Sequence, residues 1–190
     1  MVRHRGALAF LLLSVTACLL LGACGRKSPP PPGTPGSPEA NWAFEPKAIG
    51  LHFKADPELN SYNGKPHTLL LCIYQMTDPT AYNDLSKTND GIIKLLGCTR
   101  FDNSVASFQR VIVQPSEDKT VALDRAEKAQ FVAVVAGYYQ ISPPQVALLY
   151  EIPVISTTKG IFVKKTTKTV GDPKIDLFLG PQEMQKLGSK

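Results

Sequence analysis

His67-Thr68-Leu69-Leu70-Leu71-Cys72-Ile73-Tyr74-Gln75-Met76 is the stretch on which the fold turns. Leu70, Cys72 and Tyr74 alternate with Leu69, Leu71 and Ile73, and both sets are apolar. A strand with one wet face carries polar residues at every second position, so this one is expected to lie inside a sheet and to be covered on both faces. Phe131-Val132-Ala133-Val134-Val135-Ala136-Gly137-Tyr138-Tyr139 is a second run of the same kind, the most apolar downstream of the N-terminal segment, and predicts another central strand.

Working outward, Ile49, Leu51 and Phe53 alternate with Gly50, His52 and Lys54, the pattern of a half-buried strand. A long polar connector, Asp56-Pro57-Glu58-Leu59-Asn60-Ser61-Tyr62-Asn63-Gly64-Lys65-Pro66, joins it to the central strand, with Asn63-Gly64 supplying a turn that tolerates positive φ. After Met76 the period changes. Thr77 or Asp78 can cap a helix with Pro79 in its first turn, and Tyr82 and Leu85 lie three apart. A second short helix begins near Asn89, its stripe made of Ile92, Ile93, Leu95 and Leu96, with Gly97 as its terminator.

Residues 108–113 and 119–123 read as a hairpin across Pro115-Ser116-Glu117-Asp118. Residues 145–155 predict a strand with Val146, Leu148, Tyr150 and Ile152 on one face. Residues 157–160 turn the chain, 161–169 pair at an edge, and Ile175, Leu177 and Leu179 alternate in a late strand before a soft tail. Roughly seven to nine strands at short intervals, with helices confined to one insertion after the second strand, predict a mainly β fold, a β-sandwich.

The N-terminus has another logic. Arg3, His4 and Arg5 precede an apolar run of about 15 residues, shorter than the roughly 20 that span a bilayer, and then comes Leu21-Gly22-Ala23-Cys24. A small residue followed by cysteine resembles the lipobox of bacterial lipoproteins, in which the thiol is acylated and becomes the mature N-terminus. Val15-Thr16-Ala17-Cys18 has a similar form, but processing there would leave Leu19, Leu20 and Leu21 on the stub. The expected organisation is a lipoprotein signal peptide over 1–23, a lipidated Pro-rich tether over 24–41 and a sandwich domain over 42–190. Four consecutive prolines, Pro29 to Pro32, favour extended polyproline geometry, and the segment can reach about 50 Å.

The net charge of +5 falls by two when Arg3 and Arg5 leave with the leader, too little to imply nucleic acid. Lys164, Lys165 and Lys168, interleaved with threonines, read as the solvated face of a strand. Export to an oxidising compartment allows a disulfide between Cys72 and Cys98, closing a loop of about 25 residues with a stabilisation of roughly 3 kcal/mol; two free buried thiols are the alternative. His52 and His67 sit in no nucleophile or base motif, their spacing to Cys72 and Cys98 matches no paired metal-ligand pattern, and the glycines form no phosphate loop. No catalytic residue, metal or cofactor is expected.

An acylatable cysteine, a spacer, a strand, a loop holding Asp56-Pro57-Glu58-Leu59-Asn60 and Asn63-Gly64-Lys65-Pro66, the Leu69 to Met76 strand, a helical insertion and the Phe131 to Tyr139 run together resemble the TssJ (SciN) lipoproteins of type VI secretion systems. The resemblance implies a transthyretin-like or C2-like β-sandwich on the periplasmic face of the outer membrane. Gly25 agrees with that sorting, since aspartate after the acylated cysteine favours retention in the inner membrane. It implies a partner as well, the periplasmic C-terminal domain of TssM, an inner-membrane protein, bound by the loop between the first two strands. Carried onto this chain, that loop is residues 56–66, with Leu59, Tyr62 and Lys65 as the side chains expected to reach the partner. A lipid-anchored module that binds a small ligand or lipid inside the sandwich is the alternative.

Overall fold

The computed structural model describes residues 39–160 and 164–188; the leader, Cys24 and most of the tether lie outside them. Strand β1 (Glu45–Ala55) buries Ile49, Leu51 and Phe53 and turns Lys54 to solvent, as its alternation predicts. Strand β2 (Leu69–Met76) is hydrogen-bonded on both edges, to β3 (Val105–Val113) and to β5 (Phe131–Ala136). Burial along β2 is almost complete, because the second sheet covers one face and two helices cover the other.

The strands form two four-stranded sheets. One has the order β10 (Met184–Lys186), β9 (Lys174–Leu179), β1, β4 (Asp118–Arg125); the other has β3, β2, β5, β6 (Ala147–Glu151). Between them pack Ile49, Leu51, Phe53, Leu123, Ile175 and Leu177 from the first sheet against Leu69, Leu71, Ile73 and Val134 from the second. One polar side chain crosses this layer. Gln75 Nε2 donates to Asp124 O at 2.7 Å while its Oε1 accepts from Ala126 N at 2.8 Å, so the buried amide is satisfied by the facing sheet and fixes their register. Residues 37–190 form one compact unit that contains the whole core, so this part is expected to fold without the leader.

The outer face of β2 is closed by α1 (Thr80–Leu85) and α2 (Asn89–Leu95). Tyr82, Ile92 and Leu95 point into the core, and the Tyr74 hydroxyl donates to the Leu95 carbonyl. Cys98 reaches Cys72 as a disulfide, Cα to Cα 5.2 Å. Two details of the insertion differ from expectation. Ile93 is 59% exposed, because a helix this short can present only one side to the sheet, and the stripe is Ile92, Leu95 and Leu96. The left-handed residue after α2 is Cys98 (φ 48°) rather than Gly97, a conformation held by the bridge to β2.

Three connections were expected differently. β3 and β4 do not form a hairpin: the turn between them carries the chain from one sheet to the other, and β4 pairs with β1. Alternation cannot distinguish strands that pair edge to edge from strands that stack face to face. The crossing is fixed by long-range bonds, Ser116 N to Asp56 O at 3.3 Å and Ala55 N to Glu117 O at 2.8 Å. The run 145–155 is broken into a helical turn α3 (Pro143–Val146), β6, and a new strand β7 (Val154–Lys159). Residues 157–159 therefore continue β7, which pairs with β8 (Lys165–Val170) in a separate two-stranded ribbon, and the tail contributes β10.

Candidate functional site

At the far end of β1 the connector 56–66 is a built structure rather than a loose loop. Asp56 Oδ1 accepts from Glu58 N at 2.8 Å, an Asx turn that starts the reversal. Tyr62 and Lys65 exchange both backbone hydrogen bonds, at 2.9 and 3.1 Å, around Asn63 (φ 51°) and Gly64 (φ 70°), the two left-handed residues that a type I′ turn requires. The Asn63-Gly64 pair thus does what its sequence predicts, at the tip of a miniature hairpin.

Beneath that tip the connector is tied to three neighbours. Asn60, left-handed at φ 49° and buried, donates from Nδ2 to Thr68 O at 2.9 Å and accepts on Oδ1 from Tyr139 N at 2.9 Å. Ser61 N donates to Pro181 O at 2.8 Å. Leu59 is fully buried, and its carbonyl accepts from His67 N at 2.9 Å. Its expected role as a side chain reaching a partner is therefore corrected: Leu59 is the core residue on which the loop sits. Asp56, Ser61 and Asn60 are structural, whereas Tyr62, Asn63, Gly64, Lys65 and Pro66 are exposed, as are Pro57 and Glu58.

Tyr62 does not stand alone. Its ring stacks on Tyr139 at 4.7 Å between centroids and 17° between planes, and His67 meets Tyr139 edge-on at 4.9 Å. Tyr62 and Tyr139 are 52% and 57% exposed, an aromatic platform open to solvent. Beside it runs a groove of about 840 Å3, lined among others by Pro66, His67, Leu70, Ile112, Pro115 and Tyr139. Ile112 is 51% exposed there, and His67 Nδ1 is buried without a hydrogen-bond partner among the described residues. Its lining mixes apolar side chains, Leu70 and Ile112 among them, with the polar Asn60, Thr68 and Gln114, the combination by which a protein-docking surface joins affinity with orientation.

Sequence reasoning missed Tyr139, His67 and Ile112 as members of this surface. Adjacent tyrosines at the end of a strand gave a usable signal, since alternation sends one of them inward, here Tyr138 at 3% exposure, and the other out. Nothing local connects Tyr139 with Tyr62.

His52, the other imidazole, bridges three strands of the first sheet. Its Nε2 lies 2.9 Å from Asp118 Oδ1 and its Nδ1 3.0 Å from Asp176 Oδ1, so both ring nitrogens donate only in the imidazolium form. The bond to Asp118, with a smaller push from Asp176 and against some desolvation, raises its pKa above 6.5. Stabilisation from this clamp is thus complete below pH 6.5 and disappears as pH climbs through the raised value. We expect stability, and Tm with it, to fall as the pH is raised from about 6 to about 9, and His52→Gln to remove up to about 1 kcal/mol of that fall, small because the partners are solvent-exposed. Thermal melts across that range check it, and an unchanged slope in the variant would remove the clamp.

The comparisons with known proteins agree with this architecture. A family model described as Type VI secretion lipoprotein, VasD, EvfM, TssJ matches residues 47–170. No curated protein matches the chain. Among solved structures, the T6SS lipoprotein TssJ1 from Pseudomonas aeruginosa is similar with a TM-score of 0.52 and 16% identity over 78% of this chain and 97% of that one. Serratia marcescens Lip, described as a membrane bound component of the Type VI Secretion System, gives 0.53 and 15% over 75% and 98%. A chain of the structure described as T6SS protein TssM C-terminal domain (869-1107) from EAEC gives 0.53 and 15% over 74% and 98%. These structural likenesses establish the β-sandwich, and the family match, which covers β1 through β8, establishes more: the chain belongs to the type VI secretion lipoproteins, the TssJ family.

Proposed function

We propose that this lipoprotein tethers a type VI secretion membrane complex to the outer membrane, by acylation at Cys24 and by binding the periplasmic C-terminal domain of a TssM-like inner-membrane protein. The observation that carries the partner half is the Tyr62–Tyr139 platform with its adjoining groove: exposed rigid aromatics held on a hydrogen-bonded turn lose little entropy on docking. The fold's likeness to a chain in a structure described by the TssM C-terminal domain is consistent with this reading. Lys65 at the turn, and Ile112 and His67 in the groove, complete the surface.

Catalysis has no place in this proposal, and the disulfide occupies the two thiols that a metal would need. The ligand-binding alternative needs space between the sheets, where Ile49, Leu51, Phe53 and Val134 are fully buried against one another. Capture of the periplasmic domain of the TssM-like protein encoded in the same genome, by residues 37–190, tests the partner. A folded domain that captures nothing would remove it. Cys24, which lies outside the described residues, is tested separately: Cys24→Ser is expected to abolish acylation and shift the protein out of the outer-membrane fraction, and an unchanged fraction would point to another anchor.

A further inference from the structure

The sandwich has two ends, and the topology assigns different residues to each. β1 runs from Trp42 toward the 56–66 connector, so the docking platform lies at one end and the junction with the tether at the other. At the tether end, Lys128 N donates to Trp42 O at 2.7 Å, Ile152 N to Gln130 O at 2.8 Å and Gly171 N to Pro153 O at 2.8 Å. Those bonds root the β7–β8 ribbon beside the segment by which the tether arrives. A groove of about 600 Å3 lined by Glu39, Trp42, Val154, Ser156 and Lys168 runs between the two.

The ribbon belongs to neither sheet. Every residue of β7 is exposed, and β7 and β8 pair only with one another. Its sequence from 152 to 171 holds Lys159, Lys164, Lys165 and Lys168 and no acidic residue; Glu39, Glu151 and Asp172 lie only at the root. Lys159 is directly opposite Lys165 in the ladder, a like-charge placement that destabilises a two-stranded ribbon. Among the described residues none of these lysines makes an ion pair. On the same face as Lys159 and Lys165 lie Thr157, Thr167 and Thr169 around a shallow cavity of about 320 Å3, with Ile155 55% exposed nearby. Concentrated positive charge, hydroxyl donors and an exposed aliphatic side chain match a surface that is itself anionic and partly apolar.

We infer that the β7–β8 ribbon is a second membrane contact, in which Lys159 and Lys165, on the face away from Lys168 and the tether groove, bind the phosphates of anionic glycerophospholipids in the leaflet that holds the tether. The choice of a bilayer over an acidic protein follows from position, since the ribbon projects from the end at which the tether joins. Tethering supplies a high effective concentration, so individually weak contacts suffice. Their consequence is orientation: the tether alone lets the domain tumble, and the ribbon turns the docking platform away from the membrane. This rests on the reading of Cys24 as the anchor, but its test does not.

Non-acylated protein spanning residues 25–190 is mixed with vesicles of phosphatidylethanolamine and phosphatidylglycerol, or of phosphatidylcholine alone, and co-sedimentation is measured against lipid concentration and salt. Binding is expected only to the anionic vesicles and to weaken with salt. At about fivefold per lysine, the double variant Lys159→Gln, Lys165→Gln should bind about 25-fold less. These side chains are outside the core, and circular dichroism verifies that the variant is folded. A control with the same charge change elsewhere, Lys54→Gln, Lys119→Gln, should keep most of the binding. No binding to anionic vesicles, equal binding to phosphatidylcholine, or an equal loss in the control would each overturn the inference, the first leaving an acidic protein as the ribbon's partner.

Discussion

Alanine at both Tyr62 and Tyr139 is expected to weaken capture of the TssM-like periplasmic domain by about 100-fold or more, in line with the loss of two aromatic anchors at a desolvated contact. Both rings are more than half exposed and are already stacked, so the free protein presents them in one geometry. Stability should change little. The stack contributes about 0.5–1.5 kcal/mol at the surface, and the turn below it is held by backbone bonds that the substitutions leave in place. Titration calorimetry against the partner domain, with a melt of each variant, separates the two effects. Affinity within a few-fold of wild type in a folded double variant would move the interface away from this end.

Leu59→Ala is expected to behave in the opposite way. Leu59 is fully buried beneath the connector, and truncation of such a leucine costs about 2–5 kcal/mol through lost burial and the cavity left behind. A urea titration should show a lowered midpoint with an unchanged slope. The connector carries the platform, so partner capture should also weaken, in proportion to the fraction of protein that has lost the loop's packing. If Leu59 were instead a contact side chain, as its place in a polar loop first implied, the variant would keep its full stability and lose only binding. The two outcomes cannot be confused.

On the proposed reading, the arrangement would let a small sandwich act as a spacer between a bilayer and a large assembly. One end receives the tether and carries an unpaired basic ribbon; the other presents a rigid aromatic turn. Strand β1 connects these ends and is hydrogen-bonded to β4 on one side and β9 on the other, with the His52 clamp across all three. The disulfide acts across a different layer, fastening the helical insertion to β2, and its loop-closure contribution of about 3 kcal/mol protects the sheet face that would otherwise be open.

What the sequence by itself determined was local. Alternation marked β1 and β9 and their buried sides, because side-chain direction has period two, and continuous apolar runs marked β2 and β5 as strands covered on both faces. Asn63-Gly64 specified its turn because few other residue pairs accept two positive φ angles in succession. The order of these features was enough to bring the family into view. Tertiary structure alone decided which strands are neighbours. Residues 108–123 look the same whether their strands pair or separate into two sheets, and the choice is made by hydrogen bonds to Ala55 and Asp56, more than fifty residues upstream. It decided also that Leu59 belongs to the core and that Tyr139 completes the platform with Tyr62. Both follow from the fold of the connector over the ends of β2 and β5, where Asn60 meets Tyr139 across 79 residues of sequence, for which no local pattern exists.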